Sequence, residues 1–579
     1  MPLTLTPLSS DRPLERPWSR EHVRAPHVDG AFVAQPLLSQ AIDLANHNRH
    51  RLAERGGGIG VQGKDLASLR RWARIEVFRA ARDDTGLLVP GDRTPSLSSG
   101  EIEAATFFVG GHQPTLFHPG VWVKNFVVGR LAGAGRGVGL NLVVDSDTLS
   151  ATTIRVPTGP FDTPTIASVP FDAPRSRQPW EEAQIVDRAL FESFDERVRE
   201  VLGDRGYRPL LADFWPAAIE YSRRSNSLAE CLTAARAAWE RSCGVNNLEL
   251  PVSRLCTLEP FLWFTAHLLA HLPRFTSIYN ETLHEYRQVN GVRSRTHPVP
   301  DLGAADGWQE APFRVWRAGD NVRRRVYVRQ EATEILLSDG EREFARLPLA
   351  PDKDACCAVR ELQKLAARGI RLRTRALTTT LFARLCFADL FVHGIGGAKY
   401  DQMTDRIIAR FFGLAAPDFL TLSATVLLPL PAIAAHRDDE NRLLRQLREL
   451  EYNSDRHLPA AAAQQHAALI DEKHRLVAEQ NAVRAARLGG TQTPPIAELP
   501  EPQSTGAGYA RFRRLQEINR RLAELTGGER QRMEEELRQT RAQLAASAVW
   551  RDREYASCLY PAEKLQRFMD HVCASTGGE

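Results

Sequence analysis

The densest group of reactive side chains follows one apolar run. Ala104 to Val109 reads as a buried strand, Gly110-Gly111-His112-Gln113-Pro114-Thr115-Leu116-Phe117-His118-Pro119-Gly120 follows it, and a helix-like stretch then carries Lys124 and Asn125. A glycine-rich turn between strand and helix leaves free backbone N–H groups at the carboxyl edge of a sheet, where α/β folds bind phosphate or carboxylate. His112, Gln113, His118 and Lys124 are the candidate catalytic groups here, able to direct hydrogen bonds and positive charge at a leaving anion, with Gly111 and Asn125 as binding residues. A second run, Gly139 to Val144, ends in Asp145 and Asp147. Two residues apart, these acids would share one face of a strand and could grip an amine, a ribose or a metal. A third segment, Phe391-Val392-His393-Gly394-Ile395-Gly396-Gly397-Ala398-Lys399-Tyr400-Asp401, pairs glycines that admit a ligand to the backbone with His393, Lys399 and Tyr400 as contacts. The plain alternatives are a capped turn, solvated loop acids and a tight connection with an exposed lysine.

The first two segments make a β-α-β unit, and its right-handed crossover brings Asp145 to the same sheet edge as His112. Strands near Thr152 to Val156 and Thr165 to Phe171 are expected to extend that sheet, with another at Leu372 to Leu377 before a helix through Leu381 to Phe391. The fold class is therefore α/β. Residues 1–35 are proline-rich and aperiodic, as in an arm lying over the surface, and residues 36–430 form the core. Within that core, residues 180–290 are helical in pattern and residues 308–348 alternate as a β-hairpin region. Leucines recur at heptad-like spacing in Glu440 to Leu488 and Tyr509 to Trp550, with breakers at Gly489 to Pro495 between them, so residues 431–550 read as an antiparallel coiled-coil hairpin interrupted at Asn453 and Pro459. Residues 551–579 then pack back on the core.

The chain has 579 residues, 43% of them apolar, and a net charge of +4, which excludes any charge-driven need for a nucleic-acid or membrane partner. No apolar run reaches the ~18–20 residues of a membrane span, and the first residues lack the pattern of a signal peptide. Eight cysteines without a C-x-x-C pair point to a reducing, cytoplasmic compartment. Only seven of the 75 basic residues are lysine, so Lys124, Lys399 and Lys564 stand out as places where a compact ammonium was kept. His267 and His271 lie four apart but lack the glutamate of a zincin, which favours a core role, and no metal site is assigned.

His118-Pro119-Gly120 weakly resembles the H-x-G-H phosphate contact of class I synthetases and nucleotidylyltransferases, with Val121 at the second histidine position. Three segments in order resemble the cysteine-adding enzyme family of bacillithiol biosynthesis, a cysteine-ligase family. Its turn T-G-Q-Q-x-G-L-F-x-G-P-L-Y-x-x-x-K is similar to Gly111 through Lys124, matching at Gly111, Gln113, Leu116 and Phe117 and close at Trp122 and Lys124. Its G-G-P-G-E-x-x-Y-W resembles Gly396 to Asp401, and its L-F-P-x-G-K-L-Q-E-R resembles Leu559 to Arg567, which brings in Lys564. The resemblance implies a Rossmann-like nucleotidyltransferase core with helical insertions, a coiled coil used for homodimerisation, ATP or ADP as ligand with Mg2+ accompanying it, and a small-molecule acceptor of sugar or carboxyl type to which cysteine or another amino acid is joined. The chain departs from the family at His112, where the family has glutamine, at Asp145-Ser146-Asp147-Thr148 in place of E-D-H-D, and around Lys399 in place of a glutamate. The alternative function is a catalytically inactive scaffold that keeps the fold and the coiled-coil dimer.

Overall fold

The computed structural model describes residues 14–577 except 19–22, 92–93, 95, 136, 295, 431–434 and 489–505. The chain divides into two compact units: one of Met1–Thr158, Ile166–Pro429 and Asp552–Glu579, the other of Gly159–Thr165 and Leu430–Arg551. The first is mixed α/β.

Its centre is a six-stranded sheet of β1 (Ala31–Gln35), β2 (Phe107–His112), β3 (Val138–Val143), β4 (Leu248–Pro251), β10 (Leu390–His393) and β11 (Phe419–Thr425). The order across the sheet is β4-β3-β2-β10-β11-β1; all neighbours are parallel except β1, which runs antiparallel to β11. Parallel strands covered on both faces read as unbroken apolar runs, and Phe107, Phe108 and Val109 are wholly buried. From β2 the chain steps outward to β3 and β4, then returns to lay β10 and β11 on the other side of β2. The order thus reverses between β2 and β10, and connections leaving in opposite directions open a crevice at the strands' carboxyl ends.

Helices α1 (Leu66–Leu88), α2 (Pro119–Ala134), α3 (Glu259–Ala270), α4 (Ala376–Cys386) and α5 (Ile395–Ile407) belong to this unit. Leu69, Val77, Phe261, Phe264, Leu268 and Phe382 from α1, α3 and α4 bury with Val109, Leu140 and Leu250 of the sheet in one core. A second, antiparallel sheet joins that core: β5 (Trp308–Arg317), β6 (Arg324–Gln330), β7 (Ile335–Ser338) and β8 (Glu343–Leu347) run as a meander, and β9 (Ile370–Thr374) pairs with the free edge of β5. The final segment adds a helix, Ala562–Ala574, and Tyr560 donates its hydroxyl to the Val426 carbonyl at 3.0 Å.

Several elements differ from the sequence reading. Residues 31–35 are not arm but an edge strand of the main sheet, because Phe32 and Val33 find partners in Ala424 and Ser423. Thr153–Thr158 and Thr165–Pro170 form a two-stranded sheet of their own and do not extend the main one. The strand at 370–374 belongs to the meander sheet, and the helix expected at 381–391 lies earlier, at Ala376–Cys386, since Leu390–His393 is strand. The 180–290 region is helical except for β4, whose four residues are too short a run to announce themselves. His267 packs against Phe411 and Phe412, with ring centroids 5.6 and 5.9 Å away.

The second unit contains α6 (Arg437–Tyr452), α7 (Ala467–Leu488), α8 (Gly506–Leu525) and α9 (Gly527–Trp550). Leu443, Leu450, Leu515, Ile518, Leu522 and Leu537 supply its buried stripe, and a two-pronged ion pair ties Arg514 to Glu472 at 2.7 and 2.8 Å. Asn453 caps α6, and Pro459 opens the next helical turn. The breaker segment Gly489 to Pro495 lies outside the described residues. No helix of the described residues is long and apolar enough to cross a membrane.

Candidate active site

A cleft of about 620 Å3 opens at the reversal point, lined by His112, Gln113, His118, Gly120 and Lys124 around the turn after β2, by Ser146 and Asp147 after β3, and by His393, Gly396, Gly397, Tyr400 and Asp401 around the turn after β10, with Thr379, Thr380, Arg323, Ser423, Arg553 and Glu554 completing it. Two helix N-termini border it. Proline at the first position starts α2, whose N-cap His118 takes up the Gly120, Val121 and Trp122 amides, and α5 starts at the N-cap Gly394, so the positive ends of two helix dipoles face the same space.

Lys124, one turn into α2, is buried, and its ammonium donates to the Gly111 carbonyl at 3.1 Å. Burial alone pushes it down to about 8. His118 accepts the Gly120 amide through Nδ1 at 3.1 Å, which leaves the proton on Nε2, 3.6 Å from a Glu554 carboxylate oxygen. Burial, only partly offset by Glu554, lowers its affinity for a second proton. Gly120 itself has no room for a side chain, since a Cβ would collide with the Ala424 carbonyl of β11. Gly120→Ala is expected to cost about 1–3 kcal/mol, as other overpacked positions do, and a lowered melting temperature checks it.

His112 differs from its expected part. Its Nδ1 lies 3.1 Å from the Gln113 carbonyl, which can only accept, so Nδ1 carries the proton and Nε2 is a bare lone pair. Burial, reinforced by Lys124, pushes the ring down to about 3. His112 is therefore a neutral acceptor and brings no positive charge to an anion.

Gln113 donates from Nε2 to Asp147 at 2.9 Å, and Asp147 also accepts from the Thr148 amide and from Arg323, each at 2.8 Å. Burial would raise this carboxyl, but those three donors outweigh it and hold it below the usual range. Asp145 does not join it. The strand ends at Val143, so the two-residue alternation lapses, and Asp145 turns to Ser253 after β4, accepting its amide at 2.8 Å and its hydroxyl. Burial, with the nearby charge of Glu181, pushes the Asp145 carboxyl up to about 7.

On the opposite wall His393 is buried, its ring 4.4 Å from that of Phe391, and its Nε2 lies 2.7 Å from Asp401. Asp401 also accepts from Thr380 and from Arg384, both at 2.8 Å. An ionised carboxylate fixes the ring proton on Nε2, so the other nitrogen, Nδ1, is the reactive one. It lies beside Gly397, where a Cβ would stand 2.7 Å away. Gly396, Gly397 and Tyr400 share this wall.

Three further expected residues lie elsewhere. Asn125 does not line the cleft: about 100° around α2 from Lys124, its buried amide donates to Glu240 at 2.7 Å. Lys399 is grouped by helical periodicity with Ile395 and Gln402, which line a separate cavity of about 260 Å3. Lys564, on the last helix, pairs with Asp29 at 2.8 Å. Conversely, Arg323 and Arg553 reach the cleft from the meander and the C-terminal segment, and nothing in their local sequence marks them. No protein-family profile matches this chain, and no curated protein matches its sequence.

Proposed function

We propose that this protein is an ATP-dependent ligase resembling the cysteine-adding enzyme of bacillithiol synthesis, with a Rossmann-like core and a coiled-coil hairpin that pairs two copies. It joins an amino acid to an acceptor of sugar or carboxyl type. One observation carries the reading: a buried lysine and two helix N-termini converge on the crevice where the strand order reverses, a place suited to phosphate. The strand order β4-β3-β2-β10-β11 supports the Rossmann-like assignment, and the leucine stripes of α6 to α9 support the hairpin.

Lys124 and the first amides of α5 would hold phosphate oxygens, with the Nε2 proton of His118 as a further donor and the α2 dipole favouring the negative charge. An attacking amine must lose a proton. His393 would accept it at Nδ1 while Asp401 stabilises the imidazolium that forms, and His112 would orient an N–H or O–H of the substrate. The residues do not fit a resident Mg2+: the oxygens of Asp147 are engaged by Gln113, Thr148 and Arg323, and the described residues contain no cluster of three metal-binding side chains. Magnesium would arrive with the nucleotide as part of the substrate.

A thermal-shift screen with ATP, ADP and cysteine tests the reading. A ligand at 100 times its Kd should stabilise by ~2.7 kcal/mol, and the double variant His118→Ala, Lys124→Ala should stay folded and lose that response. Full nucleotide affinity in the double variant would sink the assignment. No response of the wild type to any of the three would favour the inactive scaffold.

A further inference from the structure

Three arginines stand side by side across the meander sheet. Arg314 at the centre of β5 is in register with Arg325 on β6 and with Arg373 on β9. Residues directly opposite on antiparallel strands point to the same face, and like charges placed so destabilise a sheet. The outer two are neutralised: Glu181 grips Arg373 through two hydrogen bonds of 2.8 and 2.7 Å, and Glu310 pairs with Arg325 at 3.0 Å. Arg314 is half-buried, and no hydrogen bond or ion pair among the described residues engages its guanidinium.

The surroundings sharpen the imbalance. Glu310 is already shared with Arg375, whose Nε and Nη1 are buried without an acceptor. Arg323 spends Nη1 on Asp147 and Thr148, while its Nε is likewise buried and unpartnered. A buried N–H without an acceptor carries the full cost of losing water, and three such groups beside an unpaired cation are what a missing anion would leave behind. Burial, reinforced by Arg375 and Arg323, pushes the Arg314 guanidinium down to about 10. Arg323 opens onto the cleft.

We propose that Arg314, with the free N–H groups of Arg323 and Arg375, binds a phosphate-type dianion, the phosphate or pyrophosphate portion of a molecule entering the cleft from the meander side. Planar guanidinium forks suit phosphate oxygens, and several neighbouring guanidinium groups suit a group with more oxygens than a carboxylate has. This deepens the ligase reading by giving it a phosphate subsite apart from Lys124.

The test is melting and calorimetric titration of wild type, Arg314→Met and Arg314→Lys with inorganic pyrophosphate, inorganic phosphate and acetate at low ionic strength. Without added anion, Arg314→Met should melt above wild type, because an unpaired, half-buried charge is removed. Pyrophosphate should raise the wild-type melting temperature, and its Kd should weaken at least tenfold in Arg314→Met and several-fold in Arg314→Lys, which keeps the charge but not the fork. If Arg314→Met does not fold, the Arg314→Lys titration decides. A stronger response to phosphate than to pyrophosphate would mark a monoester as the source, and the reverse an anhydride. The proposal is overturned if the variants bind pyrophosphate as tightly as wild type, if acetate acts as strongly as either phosphate, or if Arg314→Met folds cooperatively but melts below wild type. Uptake that ignores Arg314 but needs Lys124 overturns this inference alone; uptake that needs Arg314 without any ligation of an amino acid overturns the ligase reading alone.

Discussion

Arg384→Met is expected to lower folding stability by about 3–5 kcal/mol, the range for removing one partner of a buried charge pair. The guanidinium is almost wholly buried, donating to Asp401 at 2.8 Å, to Asp405 at 2.5 Å and to the Pro417 carbonyl, beside the Phe419 ring at 5.0 Å. Burial would raise Asp401, but Arg384 and His393 together hold it well below the usual carboxylate range, whereas Asp405 is raised because burial wins over its partners. Methionine fills much of the same space but leaves two carboxylates in a dry environment without their main cation. A carboxyl with a depressed folded value contributes stability above its unfolded value, about 4, and loses it as pH falls toward the folded value. Wild type has that contribution to lose on acidification and the variant does not, so the gap between them should be widest near neutral pH and narrow in acid. Urea denaturation of both proteins at pH 7 and at about pH 3, inside that window, reads the gap. A loss under about 1 kcal/mol at pH 7 would mean that Asp401 is not held ionised, and the orientation argued for His393 would fall with it.

How much of this was legible in the sequence depends on the distance over which each feature is determined. The β-α-β unit from Phe107 to Val143 could be read because it is local: an apolar run, a glycine-rich turn, a helix-like stretch and a second apolar run. The same holds for the glycine turn at Gly394 to Gly397 and for the breaks at Asn453 and Pro459. Partnering was not legible. Ala31–Gln35 becomes a strand only because β11 offers an edge nearly 400 residues later, and β9 joins the meander because β5 leaves a side open, facts that no window of the chain contains. Side-chain direction failed where a short-range rule was carried past the end of its element: alternation was applied to Asp145 beyond Val143, and proximity in sequence put Lys399 and Asn125 in the cleft, although Lys399 lines another cavity and Asn125 is held by Glu240, 115 residues away. Arg314, Arg323 and Arg375 were invisible for a different reason. In a chain with 68 arginines no single one is conspicuous; Arg314 gains its meaning from register with Arg325 and Arg373 across three strands, and Arg323 and Arg375 from lying just outside those strands with buried N–H groups unpaired.

Lys124→Met is expected to stabilise the unliganded protein near pH 7 by on the order of 2–3 kcal/mol while removing its response to nucleotide. The ammonium sits in a buried position with the Gly111 carbonyl 3.1 Å away, and burial lowers its folded value from 10.5 to about 8. The sign follows from which state binds more protons. Below pH 8 the lysine is charged in both folded and unfolded chains, so folding bears the whole cost of burying the charge. Between pH 8 and 10.5 the folded lysine releases its proton while the unfolded one keeps it, so wild-type stability rises with pH across that window. Methionine has no charge to bury, and its advantage should shrink over the same interval. A bound phosphate reverses the balance, since an anion beside Nζ favours the charged form; nucleotide should therefore stabilise wild type most below pH 8 and the variant little at any pH. The pairing of a destabilising charge with ligand dependence is the mark of a residue kept for binding, because a lysine retained for structure would lower stability when replaced. Denaturation curves at pH 7 and pH 10 with and without ADP measure both halves. A variant less stable than wild type at pH 7, or one that still gains from ADP, would remove Lys124 from the site and leave the crevice without its central cation.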